Sequence, residues 1–472
     1  MDFRSEKNHI FNIKLAKIIA LYQILDPETV KYRGRNIYHI VLVCFLLYTC
    51  LLSVIMVLSG LYYWTNNIPL SMDYFFKIEF ASYVMYKIWF VIRHSNDIWN
   101  YLSITRYDFT SFGNRHRHVP DHWQERLARM TNLYAILYFT TAVCYLTVTL
   151  AFSEDKSPIK NYDGSIGYYK QNVLNLYLIV SDKTYNAHYC TFYIAEVLIF
   201  SFIALFFFSF DFLLITLCFG MCCQMQIISY AFKSVGHRSL RDHHSPIDYT
   251  VENINISPNE HDLIHEELKT IIMDHQLVMK KYEDFFKLFR RLMLSHIFVS
   301  SLLVVVLCFT FIMSFSSDER FKTSKVTIQK LFFFIPPIFF QIYMVCFLFG
   351  SIHNQKDEII FALYSSNWTE MDMKCKKLIL LTMELNNANH KKLKFTRTKI
   401  VNLEMFFKTM GKILKEFCHS HAPNGANIQV REILEKIKDD AKCSQVSTTN
   451  LIREAVTTVP LVLLLLNYQV NH

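Results

Sequence analysis

Apolar positions gather into six long runs separated by polar stretches: Ile37–Trp64, Met72–Ile92, Met130–Phe152, Thr191–Gln224, Leu292–Phe315 and Ile328–Ile352. Each reaches the length of about 20 residues that a helix needs to cross the hydrocarbon core of a bilayer. The second run is broken by Lys77, Glu79 and Lys87, so it is the least lipid-like and is expected to face protein or a cavity. Glu196 and Asp211 mark the fourth run similarly, and a buried charge there calls for a structural partner or a functional one. Between the fourth and fifth runs lies a long connection, 225–291. Its first part, Gly236 to Glu260, is rich in His, Ser, Asn and Asp. From His261 onward Leu263, Ile264, Leu268, Ile271, Ile272, Leu277 and Val278 recur at three- and four-residue spacing, which predicts an amphipathic helix feeding the fifth run. Pro336-Pro337 sits inside the sixth run and predicts a kink rescued by neighbouring helices.

Beyond Ile352 the pattern changes. Met371, Cys375, Leu378, Ile379, Leu381 and Leu385 alternate with Lys374, Lys376 and Lys377, giving an amphipathic helix too charged to span. After a polar break, Asn402 is placed to cap a new helix, with Glu404 in its first turn where the helix dipole favours it. Phe406, Phe407, Met410, Ile413 and Leu414 form that helix's apolar stripe. Residues Glu416 to Asn450 are polar, and a short apolar run, Ala455–Leu466 with Pro460 inside it, then follows. About twelve apolar residues at 1.5 Å each reach about 18 Å, too little for the core of roughly 30 Å.

Composition agrees with a helical membrane protein. The 472 residues include 41 Phe and 27 Tyr but only 10 Gly and 10 Pro, too few breakers for a strand-and-turn architecture; the mean hydropathy is +0.19. The net charge of +9 lies between apolar runs with no basic stripe, which argues for membrane-flanking charge and against nucleic acid. With the N-terminus in the cytoplasm, the inner segments hold 31 Lys and Arg and the outer loops 7. The positive-inside rule therefore predicts a cytoplasmic N-terminus. That orientation, the absence of Asp-Arg-Tyr after the third run and the absence of Asn-Pro-x-x-Tyr near the last disfavour a G-protein-coupled receptor. Residues 1–36 carry seven Lys and Arg and no clean apolar core, so no cleavable signal peptide is expected.

Among the 12 cysteines, most lie in or beside apolar runs, and only Cys190 falls in an expected outer segment, so no disulfide framework is expected. The sequons at Asn255 and Asn367 fall on the cytoplasmic side, where no glycan is added. His261 and His265 are four apart, but Asp262 stands where a zinc protease needs Glu, and no metal is expected. There is no phosphate-binding glycine loop and no nucleophile elbow, so neither catalytic residues nor a cofactor are assigned.

The stretch from Phe361 to Leu414, with Tyr364-Ser365-Ser366-Asn367-Trp368 leading into the lysine-studded helix and Asn402-Leu403-Glu404-Met405-Phe406-Phe407 opening the next, resembles the C-terminal region of insect odorant receptors. The resemblance implies an all-α membrane protein of seven spanning helices with a cytoplasmic N-terminus. The parts are then a cytoplasmic segment 1–36, a six-helix region 37–352, an anchor-helix region 353–400, the start of a pore helix at 401–415 and an atypical tail 416–472. It also implies an odour-binding subunit of a ligand-gated, non-selective cation channel in the plasma membrane, working with a shared co-receptor and taking a small volatile organic ligand. Gustatory receptors share this architecture and stay as the alternative. The pore helix would carry Phe406, Phe407, Met410, Ile413 and Leu414. After Lys415 the sequence departs from the family pattern, either because about forty residues are inserted in the last helix or because the tail is an alternative or misassigned ending.

In that family the ligand lies in the outer half of the membrane. The aromatic and hydroxyl residues there are Tyr74, Phe75 and Phe76 in the second run, and Tyr138, Thr141 and Tyr145 on one face of the third. Phe200 in the fourth and Phe333 and Phe334 in the sixth complete the candidate set. Taken singly, such rings are ordinary interhelical packing; as a set across four helices, they are what lines a closed apolar pocket. The orientation is checked by an epitope tag on the N-terminus: antibody access is expected only after permeabilisation, and labelling of intact cells would overturn it.

Overall fold

In a computed structural model the chain is helical apart from two short hairpins. The structure describes residues 8–64, 67–152, 156–160, 165–177, 181–237, 258–313, 325–388 and 401–408. Two short helices, α1 (Ile13–Ile18) and α2 (Leu21–Leu25), and the hairpin of β1 (Lys31–Tyr32) and β2 (Arg35–Asn36) lead into α3 (Ile37–Tyr63) and α4 (Ile68–Arg93). Then come α5 (Ser95–Tyr101), α6 (His118–Ala151) and the hairpin of β3 (Lys156–Lys160) and β4 (Ile166–Lys170). The remainder is α7 (Asp182–Ala187), α8 (Tyr189–Ser234), α9 (Pro258–Met313), α10 (Lys325–Tyr364) and α11 (Met373–Ala388), with a final helical turn at 403–408.

Each expected run coincides with a long helix, apart from Trp64 and Phe152 just past the ends of α3 and α6 and positions 314–315, which lie outside the described residues. With no water in lipid to bond peptide groups, a spanning segment must satisfy them internally. Five helices, α3, α6, α8, α9 and α10, are long and apolar enough to cross a membrane by length and composition. The exception is α4, because Asp73, Lys77, Glu79 and Lys87 interrupt it. Asparagines start several helices. Asn36 accepts from Tyr38 N (2.9 Å), Asn67 from Leu70 N (3.3 Å) and, as expected, Asn402 from Met405 N (2.9 Å). Pro336 and Pro337 sit within α10, which stays one helix.

The bundle has an inside and an outside. In their most apolar stretches α8 and α10 are 72% and 67% buried, whereas α3 is 28% and α6 17% buried. Val41, Leu47, Leu51, Val54 and Leu58 of α3 stay exposed and form a lipid-facing stripe. Three helices run far beyond one end of the apolar zone. With 46, 56 and 40 residues, α8, α9 and α10 reach about 69, 84 and 60 Å at 1.5 Å per residue, at least twice a core of roughly 30 Å. Their extensions form a polar stalk. There Tyr101 donates to Lys281 O (2.9 Å), Ser111 N to Asp274 Oδ2 (2.8 Å) and Asn367 N to Val235 O (3.3 Å).

The expected amphipathic helix after Glu370 exists as α11, but its buried face is turned from the one predicted. Cys375, Ile379, Thr382 and Asn386 are buried, and Leu381 and Leu385 are exposed together with Met373 and Leu380. The reason is local: α11 docks where Cys375 Sγ meets His265 Nδ1 at 3.6 Å, and positions at three- and four-residue spacing from Cys375 then turn inward. The Asp372 carboxyl accepts from the Cys375 side chain and from its backbone N–H, which holds it below the usual range, while burial pushes the Cys375 thiol up to about 12. That thiol is inert packing.

Candidate functional site

Where α4, α6, α8, α9 and α10 meet at mid-bundle, aromatic side chains enclose a small cavity of about 30 Å³. The walls are pairs of rings. Tyr138 stacks on Phe207 with centroids 6.0 Å apart, and Tyr145 on Phe200 at 5.1 Å. Phe80 meets Phe207 at 5.0 Å and Phe334 at 5.7 Å, both within reach of favourable ring–ring geometry. Thr141, Ser300 and Gln341 add the few polar groups.

Above the cavity lies a strap, Gln171 to Tyr177, that is buried at every residue and belongs to no helix or strand as far as Leu176. A buried loop must have its peptide groups satisfied, and here four helices do so. Lys77 of α4 donates to Leu174 O (3.2 Å), and Lys330 of α10 to Asn172 O (2.6 Å). Glu196 of α8 accepts from Leu174 N (2.5 Å) and Asn175 N (3.3 Å), and Tyr145 of α6 donates to Val173 O (3.3 Å). Asn175 adopts a left-handed φ of 60°, which asparagine tolerates better than most residues, and this turns the strap back on itself.

Below the cavity is a buried ion pair. Lys87 Nζ lies 3.0 Å from Asp211 Oδ1, and neither side chain is exposed at all. Tyr134 OH and Gln341 Nε2 each donate to Asp211 Oδ2 at 2.6 Å. Lys87 also sits 3.9 Å from the centroid of the Phe207 ring, so a cation backs one wall of the cavity. Tyr83 OH and His296 Nδ1 share a bond of 2.6 Å and bring α9 to the same level. The cavity is thus walled by apolar rings between a tied strap and a tied floor, with few polar groups facing it.

Residues 80–413 of the chain match the family described as 7tm Odorant receptor. The chain belongs to the odorant receptor family. Two solved structures share its fold: the insect olfactory receptor OR5 from Machilis hrabei, and the same receptor in complex with eugenol. Their TM-scores are 0.61 and 0.59, each at 15% identity, over 86% of this chain and 97% of that one. No curated protein matches the chain.

For an odorant receptor, the candidate residues named from sequence divide into three groups. Tyr138, Thr141, Tyr145, Phe200 and Phe334 line the cavity together. Phe75 and Phe76 line a different depression on the outside of the bundle. Tyr74 is fully buried and bonds Asn175 O of the strap, and Phe333 packs beside Phe332 without reaching the cavity. Sequence reasoning missed Phe80, Tyr83, Tyr134, Phe207 and Gln341. Each lies four or seven residues from a named position (Phe76, Tyr138, Phe200 or Phe334), on the same helical face but nearer mid-bundle. The periodicity carried the face and not the depth.

Of the expected pore-helix residues, Phe406 is buried with its ring centroid 5.6 Å from Tyr343 of α10 and 5.3 Å from Phe407. Met410, Ile413 and Leu414 lie outside the described residues. Among the described residues no group of three or more His, Cys, Asp or Glu is placed to hold a metal.

The floor gives a direct test. Lys87→Met leaves the buried Asp211 without its cation and with two neutral donors only, and breaking such a pair costs about 3–5 kcal/mol. Thermal melting of the detergent-solubilised protein should show a large drop for Lys87→Met, and the double variant Lys87→Met/Asp211→Leu should recover most of it. Equal melting of single variant and wild type would contradict the pair's role.

Proposed function

We propose that the chain is the odour-binding subunit of a ligand-gated, non-selective cation channel, taking a small volatile organic molecule in the cavity between the strap and the Lys87–Asp211 floor. The observation that carries the reading is the cavity's lining: rings from four helices with only a few hydroxyl and amide groups. Such a site binds chiefly by shape and desolvation, with one polar contact setting orientation. The solved complex of Machilis hrabei OR5 with eugenol, a protein of the same fold, supports a small ligand of this kind.

At about 30 Å³ the cavity holds roughly one water, so an odorant enters by pushing rings apart. Binding then favours the expanded arrangement over the closed one, a shift whose size is set by the ligand's differential affinity for the two. The motion has a short route to the last helix. Phe334, Pro337, Ile338 and Gln341 of α10 line the cavity, and Tyr343, two residues beyond Gln341, touches Phe406. Displacing α10 therefore moves the surface on which the helix beginning at 403 rests. Assembly with a co-receptor is supported by the unpartnered leucines of the stalk: Leu380, Leu381 and Leu385 are half exposed or more. The excess of Lys and Arg at the stalk end supports placing that end and the N-terminus in the cytoplasm, with the receptor in the plasma membrane.

The test is odour-evoked current in cells expressing the chain with and without the co-receptor. Current should require both subunits and persist under G-protein inhibitors. Phe334→Ala should raise the half-maximal concentration of an activating odorant about tenfold, or ~1.4 kcal/mol. A current abolished by G-protein inhibitors would contradict the channel reading, and an unchanged response in Phe334→Ala would contradict the cavity.

A further inference from the structure

A second depression, of about 400 Å³, lies on the outside of the bundle between α3, α4 and α9. It is separated from the odorant cavity by aromatic rings. Phe76 faces the depression and Phe334 the cavity, with centroids 5.2 Å apart. Trp64, just past the end of α3, and Met72, near the start of α4, form its mouth at the strap end of the bundle. Phe75, Phe76 and Val306 form its walls. Glu79 also lines it, seven residues or about 10 Å along α4 from Met72, near the middle of that 26-residue helix.

Glu79 stands apart from the other ionisable side chains of the membrane-level part of α4. Asp73 and Lys77 pair with each other at 2.5 Å, and Lys87 pairs with Asp211. The Oε1 atom of Glu79 is buried without any hydrogen-bond partner. An ionisable side chain at this depth is costly, and where no structural partner offsets that cost the group marks a site.

We infer that this groove binds small lipid-soluble amines, with Glu79 as the anchoring group. An amine in its neutral form dissolves in hydrocarbon and can reach the groove sideways past Trp64 and Met72. The carboxyl group and the neutral amine hold one acidic proton between them. Whichever atom carries it, the pair has no net charge, and its hydrogen bond is strong in a low dielectric. The faces of Phe75, Phe76 and Trp64 suit both an alkyl chain and an ammonium head. The volume falls in the range of small-molecule sites, roughly 300–1,000 Å³. An alcohol of the same length gains a hydrogen bond but no ion pair, so it binds more weakly. The amine of a lipid headgroup stays at the interface, about 10 Å above Glu79, and does not reach it.

The full chain in lipid nanodiscs is titrated calorimetrically with hexylamine, with 1-hexanol as the comparison. Wild type should bind hexylamine more tightly than hexanol. Glu79→Gln should weaken hexylamine at least tenfold and change hexanol less than twofold. Val306→Trp, which fills the groove and leaves the carboxyl in place, should also abolish hexylamine binding. The inference is overturned if wild type does not prefer hexylamine, if Glu79→Gln binds it as wild type does, or if Val306→Trp retains it. Should Glu79→Gln fail to assemble, Val306→Trp decides alone.

Discussion

A lysine and an aspartate bonded to each other at mid-bundle set the terms for the rest of this molecule. Neither charge could remain alone at that depth, so Lys87 of α4 and Asp211 of α8 must meet. Once they do, the remaining acceptor positions of Asp211 draw Tyr134 of α6 and Gln341 of α10 to the same point. Four helices are thus held at one level by directional bonds, where packing of Phe and Leu alone would allow sliding. The strap repeats the device nearer the other end of the apolar zone, with Lys77, Lys330 and Glu196 bonding peptide groups that would otherwise be buried unsatisfied. Between these two tied layers the side chains are almost wholly apolar, and that is where the cavity lies.

Much of this frame was legible in the sequence. Runs of apolar residues gave the six helices, two of the charges in the second run, Lys77 and Lys87, marked its buried side, and the spacing after His261 gave a helix continuous with the fifth span. Asn402 could be named as a cap because the chemistry is local. What escaped has a common cause. The period of 3.6 locates the face of a helix but not the depth at which faces from different helices meet, so Tyr138 and Phe200 were named while Tyr134 and Phe207 were not. The strap has no period at all, and its burial depends on Lys330 and Glu196, more than a hundred residues apart. For α11 the apolar positions were right, but hydrophobicity cannot tell a face turned to its own chain from one left for another. Leu381 and Leu385 are of the second kind.

The site and the expected pore helix are joined by one element. On α10, the cavity residues Phe334 and Gln341 and the Phe406 contact at Tyr343 lie within ten positions. A ligand that displaces the rings around Phe334 acts on the same rigid segment that supports the helix at 403. Family membership alone does not specify this link; it depends on a stiff helix with a proline pair at cavity level and an aromatic contact one turn or so beyond.

The most direct measurement is a density map of the receptor bound to an activating odorant. The account predicts ligand density bounded by Tyr138, Phe207 and Phe334, above an intact Lys87–Asp211 pair, in a cavity several times larger than about 30 Å³. Ligand density elsewhere, with these rings still in contact, would contradict it.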